Sequence, residues 1–183
     1  MRVCLSEQMR KADEASIKDY NIPGIVLMEN AALGIMKEVE KDICNGILPK
    51  KAHACIICGT GNNGGDGFAV ARHLASIDWN MDVFICGDKS RITGDALINL
   101  HIINKLNIPI HVIEDPDMAE FDRSLARSHL IIDGMLGTGF RGRLRGNYEA
   151  VIEKINKQHK FVLSIDNPTG LNCDTGFAEG SCI

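Results

Sequence analysis

Short apolar runs alternate with amphipathic stretches along most of this chain, and that alternation predicts its architecture. Five runs read as strands, at residues 53–58, 80–86, 108–113, 129–133 and 161–166. Their brevity and near-continuous apolar content suit strands covered on both faces. Between them, apolar residues recur at three- and four-residue steps, the spacing of one face of a helix. Helices are expected from about Gly67 to Ser76, after a Thr93 cap, near Met118–Arg127, and from Tyr148 to Gln158. Two more precede the first strand: one from Ser6, as N-cap, to Asn21, and one after Pro23-Gly24 carrying Met28, Ala31, Ile35, Met36 and Val39. The pattern therefore predicts an α/β fold, a doubly wound parallel sheet in three αβα layers with two N-terminal helices. At 183 residues a single domain over 1–183 is expected.

Three of the strands end in polar, glycine-dense loops, at residues 58–67, 133–143 and 166–176. In an open, Rossmann-like sheet, ligands bind beyond the carboxyl ends of the strands, where the strand order reverses. With order 3-2-1-4-5 the three loops converge on one crevice, and Pro109 argues that the third strand lies at an edge. The first loop, between a strand and a helix start, is a ready anion site. Asp66, Asp133 and Asp166, with Asn63 and the Thr169 hydroxyl, supply carboxylates and hard oxygen ligands suited to a cation. The glycines of residues 137–142 with Arg141 or Arg143 suit phosphates. A single carboxylate at a strand end is as often a turn residue as a functional one; three together favour a site. Gly59-x-Gly61-x-x-Gly64 fits the dinucleotide fingerprint, but the acidic residue that pattern wants after the second strand is met only by Asp88, late in position.

Composition narrows the function further. A net charge of −4 without a basic stripe gives no footprint for nucleic acid. No apolar stretch reaches membrane-spanning length, and Met1–Ser6 lacks the apolar core of a secretory signal. Seven cysteines, an odd number at scattered apolar positions, predict unpaired thiols in a reducing cytoplasm. Cys55 and Cys58 lie three apart in a predicted strand, facing opposite sides, which suits packing rather than redox or zinc chemistry. The histidines show no metal-ligand spacing. Glu29 and Asn30, inside an apolar run, read as a solvated edge or as residues facing a cleft.

Asn62-Asn63-Gly64-Gly65-Asp66-Gly67, followed by Ala71-Arg72-His73-Leu74, resembles the most specific motif of the YjeF N-terminal domain family, the NAD(P)H-hydrate epimerases. Asp133 to Gly139 resembles the second motif, and Asp166 to Leu171 with Asp174-Thr175-Gly176 the third. Gln8-Met9-Arg10-x-x-Asp13 and the stretch from Pro23 to Ala32 are similar to the family's N-terminal helices. The resemblance implies an isomerase of metabolite repair. It would interconvert, at C6 of the nicotinamide ring, the two epimers of hydrated NADH and NADPH, so that a dehydratase domain or protein can restore the cofactor. Substrate would contact Asn62, Asn63, Gly64, Gly65 and Asp66, the loop Gly137, Thr138, Gly139, Phe140, Arg141, Gly142 and Arg143, and Asp166. A potassium ion would be held by Asn63, Asp133 and Thr169. Asp166, at a strand end over the crevice, is the expected acid/base. A homodimer through the N-terminal helices is implied. Ile183 falls where family members continue through at least one more strand, so a truncated C-terminal end is expected. Thr169 stands where the family commonly has Ser, and Asn167 replaces an aliphatic residue. The alternative is a non-catalytic scaffold module of the same fold, binding a nucleotide or partner protein. Such a module would tolerate loss of the three aspartates, all present here. A hydride-transferring oxidoreductase has no Lys, Tyr or His placed for it.

Overall fold

The computed structural model describes residues 4–183; Met1–Val3, part of the stretch read above for a secretory signal, lie outside the described residues. The chain runs α1 (Ser6–Lys18), α2 (Gly24–Cys44), β1 (His53–Cys58), α3 (Asn62–Ser76), β2 (Asn80–Ile85), a 3₁₀ turn (Lys89–Arg91), α4 (Gly94–Lys105), β3 (Ile110–Val112), α5 (Ala119–Arg127), β4 (Leu130–Gly134), α6 (Tyr148–Asn156) and β5 (Val162–Ser164). All four strand pairings are parallel, in the order β3-β2-β1-β4-β5. The sheet and the reversal beside β1 match the expectation, with β3 at one edge.

Period-two alternation in the central strand builds the three layers. Ala54, Ile56 and Cys58 of β1 pack with α2, α3 and α4 on one face, around Phe68, Leu74, Leu100 and Ile103. Cys55 and Ile57 face the other way, toward α5 and α6, around Phe121, Leu125, Val151 and Ile155. The two cysteines thus serve opposite cores, as their spacing predicts. Burial pushes the Cys55 and Cys86 thiols up to about 12, and raises Cys58 as well, so all three stay protonated. No helix among the described residues is long and apolar enough to cross a membrane.

Two helix starts differ from the sequence expectation. Ser6 is the first helical residue of α1 rather than its N-cap, and its own hydroxyl is turned to Asp174. Thr93 does precede α4 as its N-cap, without a side-chain capping bond. The second difference is larger. Helix α3 begins at Asn62, five residues before the expected start, so Asn62–Asp66 is the first turn of a helix rather than a loop. Asn and Gly are poor helix formers, and packing holds them helical here. A Cβ on Gly64 would sit 2.0 Å from the Gly59 carbonyl oxygen, and one on Gly65 2.6 Å from the Met28 methyl. Only glycine lets α3 settle this closely on the turn before it and on α2.

Candidate functional site

The site lies at the carboxyl ends of β1, β4 and β5, where the helix start of α3 and two loops meet. Gly65 makes the first intrahelical bond of α3, to the Gly61 carbonyl, which leaves the preceding amides without a helical acceptor. The N-cap, Gly61, contributes no side-chain cap. This end of α3 offers bare N–H groups and the positive end of a helix dipole to an anion. A side chain on Gly134 would begin 3.1 Å from the Asn63 carbonyl oxygen, which fixes α3 against the end of β4. Asn62 is exposed and Asn63 half-buried. Both polar atoms of the Asn63 side chain are buried with no partner among the described residues.

The three aspartates occupy different environments. Asp133, at 0 % exposure, is sealed into the floor. Its Oδ1 accepts the Thr169 hydroxyl at 2.6 Å and the Met135 amide at 3.2 Å. Its Oδ2 accepts the Thr169 amide at 2.8 Å and the Ser164 hydroxyl at 3.0 Å. Burial raises its pKa, and the hydrogen bonds from Thr169 oppose that rise. The expectation that all three carboxylates line an open crevice is therefore corrected: Asp133 knits β4, β5 and the Thr169 turn together beneath it. Thr169, also fully buried, accepts the Leu136 amide at 3.0 Å.

Asp166 is exposed, and its Oδ2 accepts the Thr138 amide at 2.7 Å. A side chain on Gly137 would collide with that carboxylate at 2.4 Å, so glycine there is what admits Asp166 to the loop. Asp66 is half-buried on the first turns of α3. It is pushed up to about 7 by burial first, then by the charges of Asp166 and of Asp13 on α1. Asp66 thus lies within electrostatic reach of both Asp166 and Asp13. Asp13 entered the sequence analysis only as part of an N-terminal motif, with no role.

The loop after β4 carries Gly137, Thr138, Gly139, Phe140, Arg141, Gly142 and Arg143 past this corner, with Gly139, Arg141 and Arg143 exposed. Arg141 is committed to the protein: it pairs with Asp174 and donates to the carbonyls of Thr138 and Phe140. Asn167, without explanation in the sequence, is buried and donates to the carbonyls of Pro168 and Leu171 at 3.2 and 2.6 Å, shaping the turn that carries Thr169. Asp88 binds Ser90 in its own 3₁₀ turn, which removes it from any ribose role. Glu29 pairs with Arg72 and, at 2.8 Å, with His73, joining α2 to α3, and Asn30 is exposed. Both belong to the helix layer rather than to the crevice.

Residues 24–183 match the family described as YjeF-related protein N-terminus. The chain belongs to that family. It is 36% identical over its whole length to the bifunctional NAD(P)H-hydrate repair enzyme Nnr of Moorella thermoacetica, of which it spans 34%. It is 35% identical to the NAD(P)H-hydrate epimerase of Rhodopirellula baltica, over 93% of this chain and 66% of that protein. To the NAD(P)H-hydrate epimerase of Anaerococcus prevotii it is 33% identical, over 100% of this chain and 81% of that protein. The crystal structure of yeast ynu0 shares the fold at a TM-score of 0.84 and 24% identity, over 99% of this chain and 76% of that one. The YjeF-family fold is thus reproduced here from the second helix to the last strand.

Proposed function

We propose that this chain is an NAD(P)H-hydrate epimerase, an isomerase that interconverts the two C6 epimers of hydrated NADH and NADPH. The observation that carries the reading is the pairing of a bare helix start with two accessible carboxylates in one crevice of a YjeF-family chain. Both single-function relatives compared above are named for that activity. The phosphates of the substrate would lie on the amides of Asn62–Gly64 and on the loop 137–143, with Arg143 free to reach them and the nicotinamide end toward Asp66 and Asp166.

The ring nitrogen beside C6 supplies the chemistry. Its lone pair forms a C=N bond as the C6–O bond breaks, and Asp166 protonates the departing oxygen to give water. Water then adds to the opposite face of C6, the C=N electrons return to nitrogen, and Asp166 recovers the proton. Asp66, pushed up to about 7, would carry a proton in about half of the molecules at neutral pH, a reserve from which Asp166 would be recharged.

The potassium ion implied for the family fits the donors present. The Asn63 carboxamide oxygen is buried and without a partner among the described residues, its backbone lies against Gly134 at the end of β4, and the Thr169 hydroxyl donates to Asp133 at 2.6 Å one residue before that glycine. These are hard oxygens around a buried negative charge. When bound, the ion would balance the charge of Asp133 and of the substrate phosphates. Product would pass to a dehydratase, as a following domain or a separate protein. A homodimer would use the α1–α2 face, where Met9, Ile17, Tyr20, Val26 and Leu33 stand exposed.

Crystals soaked in ADP-ribose or NADP with potassium test this. Density is expected along residues 62–66 and 137–143, with an ion at Asn63. A nucleotide bound elsewhere, or none in a folded protein, would overturn the reading.

A further inference from the structure

Asp174-Thr175-Gly176 has no role in the chemistry above, yet its carboxylate ties three distant parts of the chain together. Asp174 Oδ1 accepts the Ser6 amide at 2.8 Å, and Oδ2 accepts the Ser6 hydroxyl at 2.8 Å and Arg141 Nη2 at 2.6 Å. Arg141 Nη2 also reaches the Ser6 hydroxyl. On its other arm, Arg141 Nη1 donates to the carbonyl oxygens of Thr138 at 2.9 Å and Phe140 at 2.7 Å. One guanidinium thus gathers two carbonyls of the loop 137–143 and anchors them to Asp174. Two further bonds close the same loop. The Phe140 amide closes on the Gly137 carbonyl at 2.9 Å, and the Thr138 amide is aimed at Asp166.

Asp174 is itself held by a tight turn. Its amide and that of Thr175 donate to Asn172 Oδ1, and Gly176, at φ +71°, returns its amide to the Asn172 carbonyl at 2.8 Å. The left-handed position explains the glycine. At the N-terminal side, Asp174 caps the first turn of α1 from 168 residues away, which is why Ser6 does not cap its own helix. Asp13 lies seven residues along that helix, about 10 Å at 1.5 Å per residue. Fixing the start of α1 therefore holds the Asp13 charge near Asp66.

We propose that Asp174 is a positioning residue of the site: through Arg141 it sets the loop that receives the substrate's phosphates, and through Ser6 it docks α1 against the crevice. The functional half of this proposal rests on the epimerase reading; the geometric half does not. Bonds from the Ser6 amide and hydroxyl first, and then the Arg141 charge, hold the Asp174 carboxyl below its ordinary range, so the knot is intact at neutral pH.

Asp174→Asn removes the charge at nearly constant shape. It should raise KM for hydrated NADH about tenfold while kcat falls by no more than about threefold, because Asp66 and Asp166 themselves are unaltered and only their supports are loosened. Arg141→Ala should do the same, and the double variant should be no worse than either single one, since both cut one connection. In the ligand-free protein, amide exchange across residues 137–142 should quicken about tenfold in Asp174→Asn, with β1 and β4 unchanged. Unchanged KM in a folded variant, multiplying effects of the two substitutions, or unchanged exchange in the loop would each overturn the proposal. If Asp174→Ala fails to fold, Asp174→Asn and Ser6→Ala carry the test. A wild-type protein that lacks epimerase activity but shows the exchange effect would sink the epimerase reading and leave the knot standing.

Discussion

The two ends of the sheet use aspartate in opposite ways. At the amino end, Asp82 of β2 is 5 % exposed, and its Oδ2 meets Arg127 at 2.5 Å and His53 Nε2 at 3.0 Å. Burial there would raise the carboxyl, but Ser124 first, and then Arg127 and His53, outweigh it and hold Asp82 below the ordinary carboxylate range. A cavity of about 570 Å³ opens beside this cluster, lined also by Trp79, Asn107 and Pro109. At the carboxyl end, no cation among the described residues offsets the burial of Asp66, which is pushed up, with Asp166 and Asp13 repelling it. Size of hollow is therefore a poor guide to chemistry. The amino-end carboxylate is answered by cations of the chain itself, whereas the carboxyl-end carboxylates meet mainly one another's charge.

Substitutions should separate the two ends by what they cost. The largest effect is expected from Asp166→Asn, which should lower kcat for epimerisation by about 10³-fold, with ADP-ribose binding by calorimetry unchanged and little effect on unfolding. Asp82→Asn should do the reverse. It breaks a nearly buried ion pair and should cost about 2–3 kcal/mol, read as a Tm lower by about 5–10 °C, with kcat per folded molecule unchanged. Because Asp82 has a depressed folded pKa, its stabilisation is present above the unfolded value and is lost as pH falls through the folded one. Wild type and Asp82→Asn should therefore converge in strong acid.

The smallest effect has the opposite sign. The folded protein keeps a proton on Asp66 up to about pH 7, while the unfolded chain releases it near 3.8. Stability is then lost as pH rises through that window. Asp66→Asn should be more stable than wild type by about 1 kcal/mol at pH 8, with no gain below about pH 4, measured by denaturant unfolding at both pH values. Equal stability at pH 8 would mean that the Asp66 carboxyl is not strained by its surroundings.

Much of this contrast was legible in the sequence, and the part that was not has physical reasons. Strand β1 begins and ends where its apolar run does, and the order of the sheet follows from alternation plus the position of Pro109. The early start of α3 was hidden because Asn-Asn-Gly-Gly has low helix propensity, and packing against Gly59, Met28 and Ala96 overrides it. A strand-end aspartate cannot announce whether its oxygens face solvent. Asp133 turned inward because Ser164 and Thr169, more than thirty residues away in sequence, supply its donors. Ser6 followed Asp174 for the same reason: a partner distant in sequence outbid the local cap.

One measurement bears most directly on the carboxyl-end crevice as a reaction site. Hydrated NADH enriched in one C6 epimer can be followed by NMR with protein in potassium buffer, beside a protein-free control. The crevice as described predicts rapid approach to the equilibrium mixture with wild type and a rate near the control with Asp166→Asn. A wild-type protein that binds ADP-ribose yet leaves the mixture drifting at the control rate would contradict it, and would point to a nucleotide-binding module without catalysis.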